Sequence, residues 1–147
     1  MTTKTPPPQA FSEPIIFHKL SDLYLATHKR VIRFPKPSRY SLGVRMENTL
    51  LEIFELGYLA LTKQNASKLL IINKMDITLR MFFMHLRLAE GTRCLNDTGY
   101  AELSKGALEI GRMIGNWLKE IRNPKTAPDM RPDLKSKSLP QDRLLEL

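Results

Sequence analysis

Three histidines, one cysteine and fifteen carboxylates are the groups in this 147-residue chain that could carry acid–base, nucleophilic or metal chemistry. Their spacing does not assemble a site. No two of His18, His28 and His85 fall on one helix face at metal-ligand spacing, so each reads as a surface or boundary histidine. The lone Cys94 excludes an internal disulfide and any cysteine-based metal cluster, and it reads as a small boundary side chain. One unpaired thiol fits a reducing, cytoplasmic compartment. Glu52 and Glu55 share one helix face, and a solvated face is a better reading there than a catalytic pair. No glycine-rich phosphate loop and no GxxxxGK[ST] motif occurs. These absences predict a protein that is not an enzyme and uses no cofactor or metal.

The positive signal is basic. The formal net charge is +8 and the sequence pI about 9.8. Lys29, Arg30 and Arg33 cluster where a first helix should end, and Lys36 and Arg39 extend that patch through the following loop. Cations at a helix C-terminus are favoured by its dipole alone, by roughly 0.3–1 kcal/mol, so phosphate binding is the second of two readings there. Lys74, Arg80 and Arg87 follow on a third helix, and Arg112 and Lys119 on a fourth. Arg80 also has two readings, because Asp76 lies at the favourable i,i+4 spacing for an ion pair. As an ensemble these residues point to a polyanion held by salt-sensitive, largely electrostatic contacts. No base-reading element is visible, so no sequence specificity is predicted.

The elements that must position these charges follow from proline. All ten prolines lie at or before Pro37 or at or after Pro124, which leaves residues 38–123 free of them. Proline costs roughly 3 kcal/mol inside a helix, so the gap reads as helical. Residues 1–14 read as a proline-rich disordered lead-in without the apolar run of a signal peptide, and 123–147 as a flexible charged tail. The body, 15–122, carries 17 Lys and Arg against 10 Asp and Glu, a net of +7. No stretch is apolar enough for a membrane span.

Within the body, Ile16, Leu20, Leu23, Thr27, Val31 and Phe34 mark a helix over 15–33. Ser38 is the expected cap of a second helix to about Lys63, with a main stripe of Leu42, Met46, Thr49, Leu50, Ile53, Gly57, Ala60 and Leu61. Val44, Leu51 and Tyr58, seven apart, form a stripe on another face. Asn65 is the expected cap of a third helix over 66–93, apolar almost all round. Asp97 is the expected cap of a fourth over 98–122, with the stripe Leu103, Ala107, Ile110, Ile114, Trp117 and Ile121. Gly111 and Gly115, four apart, suggest close approach of a neighbouring helix, and Trp117 suggests packing. The sum is an all-α, antiparallel four-helix bundle. The second stripe and the all-round apolar helix add the expectation of self-association, because a small bundle cannot bury such faces alone.

Three segments, FPKPSRYSLGVRMEN (Phe34 to Asn48), Tyr100-Ala101-Glu102-Leu103 and EIGRMIGNWLKEI (Glu109 to Ile121), together resemble the four-helix-bundle family of Avd, the accessory variability determinant protein of diversity-generating retroelements. The family also holds proteins encoded in intervening sequences of bacterial 23S ribosomal RNA genes. The resemblance spans about residues 15–122. It implies a homopentameric ring that binds RNA or cDNA and a reverse transcriptase, supports mutagenic cDNA synthesis, and is not itself catalytic. Arg87, in HLRLAEG, matches a basic position that helps engage the reverse transcriptase in Avd. One turn earlier, where Avd tends to carry another arginine, this chain has Phe83, and Arg80 is the substitute available on the same face. The alternatives are an RNA-associated or structural bundle of the ribosomal intervening-sequence type, and an adaptor for another protein.

Overall fold

The computed structural model describes residues 14–123. Apart from Pro14 and Asn123, the lead-in and the tail named above lie outside the described residues. The described chain is all-helical. It consists of α1 (Ile15–Val31), a short α2 (Lys36–Ser38), a π-helical turn (Arg39–Gly43), α3 (Val44–Leu61), α4 (Asn65–Gly91) and α5 (Asp97–Arg122). The α2, π and α3 segments run on as one rod, so four rods make the bundle. Each packs chiefly on two neighbours: α1 against α3 and α5, and α4 against α3 and α5.

The core is the predicted set of stripes brought together. Ile16, Leu20, Leu23, Val31 and Phe34 meet Met46, Leu50, Ile53 and Ala60, and Leu103, Ala107, Ile110 and Ile114 close the ring of contacts. From α4 come Ile72, Met75, Leu79, Phe82, Leu86 and Ala89, a single face of that helix. Trp117 and Ile121 are half-buried against the core. Leu61, expected in the main stripe, is exposed, because α3 ends at that residue and Thr62 turns the chain away.

The helix starts differ from expectation. Ser38 does not cap a helix. The rod begins two residues earlier after Pro35, with Pro37 in the first turn. Proline is tolerated there because its missing N–H is one the first turn leaves unbonded anyway. Asn65 is itself the first residue of α4, at φ 55°, a left-handed conformation that asparagine tolerates, and it makes no capping bond. At α5 the cap is Asn96, whose side chain accepts from the Gly99 N–H at 2.7 Å, while Asp97 sits in the first turn.

Three glycines separate close packing from open surface. A Cβ on Gly57 would lie 2.7 Å from Phe17 Cε1 and 3.0 Å from its Cζ. Phe17 cannot easily yield, since its ring is buried and stacked on Tyr58 at 4.3 Å between centroids. Gly111 would meet only Leu79, at 3.3 Å, and Gly115 nothing within 4 Å. The close helix approach expected at Gly115 is therefore not made within the described chain. Gly57→Ala is expected to destabilise by about 1–2 kcal/mol, overpacking outweighing the gain in helix propensity. Gly115→Ala should stabilise by about 0.5–1 kcal/mol, having propensity alone to change. Opposite shifts of the urea midpoint check the pair.

Candidate nucleic-acid and partner interfaces

The seam between α1 and α5 is laced by ion pairs. Arg30 donates from Nε and Nη2 to Glu102 Oε1, at 3.1 and 2.9 Å. Lys19 Nζ lies 3.2 Å from Glu109 Oε2. Exposed pairs of this kind contribute only about 0–1 kcal/mol each. Their larger consequence is electrostatic: they take up two of the acids on α5. Arg30, read from sequence as one of a phosphate-binding trio, is thus engaged inside the seam. Its neighbours Lys29 and Arg33 are exposed, as is Lys36. Arg39 is half-buried and pinned, donating from Nη2 to the Phe34 carbonyl at 3.1 Å.

On α5 the structure shows a pattern the sequence reading had only in part. Lys105, Arg112 and Lys119 are all exposed and stand seven residues apart. Seven residues are close to two turns, so the three share one outward face at intervals of about 10.5 Å. Among the described residues, no carboxylate lies within ion-pair distance of any of them. Lys105 was missed, although the heptad spacing was there to be read. This row is a ladder of free cations beside a seam whose acids are already neutralised.

The outward face of α4 differs in kind. Leu70, Ile77, Met81, Met84 and Leu88 are 43–60% exposed and line up at spacings of seven, four, three and four. Arg80 and Arg87 flank that stripe, seven apart and exposed, and Lys74 is exposed near it. Arg80 bonds Asp76 at 3.3 Å, as its i,i+4 spacing allows, yet it stays largely in solvent. Arg87 has only a 3.8 Å approach to Met84 Sδ. Phe83 is half-buried and packs against the core, so it is not an outward substitute for a basic residue. Exposed apolar, Met and Arg side chains together are the composition of protein–protein interfaces. Val44, Leu51 and Tyr58 are also partly exposed, and Tyr58 stacks back on Phe17. At the far end of α5, Trp117 receives Lys68 Nζ over its ring at 5.7 Å.

The histidines divide. His18 is exposed. His28 Nδ1 meets Glu47 Oε2 at 2.9 Å, and Tyr24 donates to Glu47 Oε1 at 3.1 Å, tying α1 to α3. Burial, followed by the Glu47 charge and the bond to it, raises the Tyr24 pKa and keeps the phenol a donor. His85, expected at the surface or boundary, is buried, at 8% exposure, because its position on α4 turns it inward beside Leu86. Its Nδ1 has no hydrogen-bond partner. Burial first and the Arg45 charge second hold its pKa below the ordinary 6.5. The unfolded chain therefore takes up a proton near pH 6.5 that the folded chain refuses until lower pH. Stability is full above that value and falls as the pH drops below it. His85→Gln should flatten this decline, measured as urea midpoints between pH 7.5 and 5.5.

No group of His, Cys, Asp and Glu among the described residues could hold a metal ion. No helix among them is long and apolar enough to cross a membrane. Cys94 is half-buried at the α4–α5 turn, 3.4 Å from Thr92 Oγ1. A family model described as bAvd-like matches residues 14–121. Comparison with curated proteins and with solved structures gives no match.

Proposed function

The chain belongs to the bAvd-like family, and from that premise we propose that it is a non-enzymatic accessory protein of a diversity-generating retroelement. It binds RNA or cDNA and a reverse transcriptase, and its role is to hold template and polymerase together in the cytoplasm. The observation that carries the nucleic-acid part is the unpaired ladder Lys105, Arg112 and Lys119. A row of exposed cations along one helix face suits a phosphate backbone, because it releases counterions on contact without needing any particular base. The α4 stripe with Arg80 and Arg87 supports the protein part: self-association into a ring, expected to be a pentamer, and contact with the polymerase.

A second reading has an observation of its own. Phe83 packs against the core where Avd tends to carry another arginine, which favours an RNA-associated bundle of the ribosomal intervening-sequence type, working without a polymerase. The experiment is retention of a diversity-generating-retroelement reverse transcriptase on a column of the full chain. It is run together with binding of a generic single-stranded RNA at 50 and 200 mM salt. Retention of the polymerase, with RNA affinity falling steeply with salt, supports the first reading. Salt-sensitive RNA binding without retention supports the second. A flat salt response overturns the electrostatic basis of both.

A further inference from the structure

An open cleft of about 600 Å³ lies between the π-helical turn, the start of α3 and the last turns of α4. Tyr40, Leu42, Arg45 and Asn48 line it from the turn and the start of α3, and His85 and Leu88 line it from α4. The π turn (Arg39–Gly43) borders this space, and Tyr40 within the turn is 66% exposed. π turns inside longer helices occur frequently at functional sites. His85 supplies an independent sign. It is more than nine-tenths buried, and its Nδ1 is unpartnered within the bundle. Buried polar atoms without partners are rare and call for an explanation.

We propose that this cleft seats one unpaired nucleotide, either free or as a splayed-out member of a single strand. Tyr40 offers a face for the base to stack on. Asn48 carries both a donor and an acceptor for a base edge, Arg45 a cation for the phosphate, and Leu42 and Leu88 apolar walls for the sugar. His85, neutral beside Arg45, completes the floor through the part of its ring that lines the cleft. Aromatic stacking with contact to base edges is how proteins engage unpaired nucleotides in general. The cleft volume falls within the usual range for small ligands. The inference rests on the nucleic-acid reading given above but uses none of the cations of α5.

The test is a titration of the full chain, with its histidine rings followed by NMR. The probes are uridine 5′-monophosphate, inorganic phosphate and a single-stranded uridine oligonucleotide. The His85 ring resonances are expected to move saturably with the monophosphate, with a dissociation constant on the order of 1 mM, and with the oligonucleotide. Tyr40→Ala and Arg45→Gln change exposed side chains and leave the fold intact. Each should weaken the monophosphate response about 10-fold. A response to inorganic phosphate equal to that of the monophosphate overturns the seat for the base. If His85 is silent to both nucleotide probes while the oligonucleotide still binds through Lys105, Arg112 and Lys119, the cleft proposal fails and the proposed function stands. If the monophosphate moves His85 while the oligonucleotide binds nowhere, the cleft is a free-nucleotide site and the nucleic-acid reading fails.

Discussion

Replacing Lys105, Arg112 and Lys119 together by glutamine is expected to weaken binding of single-stranded RNA by about 100-fold at 0.1 M salt. The magnitude follows from counterion release. Each phosphate neutralised on a single strand contributes a slope of about −0.7 to log K against log salt. Referred to 1 M salt, where this contribution vanishes, one contact is worth roughly fivefold at 0.1 M, and three are worth about two decades. The slope itself should become shallower by about 2. That second readout separates lost contacts from lost folding, since a misfolded fraction lowers the amount of active protein without changing the slope. The three side chains are exposed and make no ion pair among the described residues, so their removal leaves the core and the α1–α5 seam in place. Arg30→Gln is the matched control. It removes one positive charge, as each ladder substitution does, but Arg30 is engaged with Glu102 in the seam, and its loss frees that carboxylate. Its expected signature is a small loss of stability, with a change in slope smaller than that of any ladder residue.

The contrast between Arg30 and Lys105 also shows what the sequence could reveal. The bundle was legible because its cause is periodic. Ile16, Leu20, Leu23, Thr27, Val31 and Phe34 recur every three or four residues, and all six are buried. Prolines then fixed where rods had to break. Capping was less legible, since Ser38 and Asn65 are good capping types whose use depends on where the preceding turn leaves the backbone. Ion pairs across the seam were not legible. Arg30 and Glu102 are 72 residues apart, and only the antiparallel register of α1 and α5 brings them together. The cleft fails for the same reason. Tyr40, Arg45 and Asn48 belong to one segment, but His85 arrives from α4, and its inward turn is set by packing beside Leu86. Lys105 is the opposite case. Its spacing to Arg112 and Lys119 was present in the sequence, and only the knowledge of which α5 face is outward gave it meaning.

Ile77→Asp with Met84→Asp is expected to reduce the chain to a monomer without unfolding it. The two positions are 60% and 43% exposed, so carboxylates there remain hydrated in a single copy and the helical circular dichroism should be unchanged. Their setting in an assembly is different. Leu70, Ile77, Met81, Met84 and Leu88 alternate at the seven-, four- and three-residue spacings of a helix-packing seam. Burying each such side chain against another copy is worth about 1.5–3 kcal/mol. Two carboxylates forfeit that gain and add the desolvation of unpaired charge, several kcal/mol per group. A loss of at least about 4 kcal/mol corresponds to about a thousandfold weaker association, enough to dissociate a complex held at micromolar strength. Light scattering reads the outcome directly. The unaltered chain should run at several times 16.9 kDa, five times for the pentamer, and the double variant at 16.9 kDa itself. Arg80 and Arg87 remain on the flank of the stripe in that variant. Loss of polymerase retention alongside loss of assembly would mean that the ring presents the binding surface. Retention by the monomer would place the polymerase contact on a single copy, through the arginines and not through the ring.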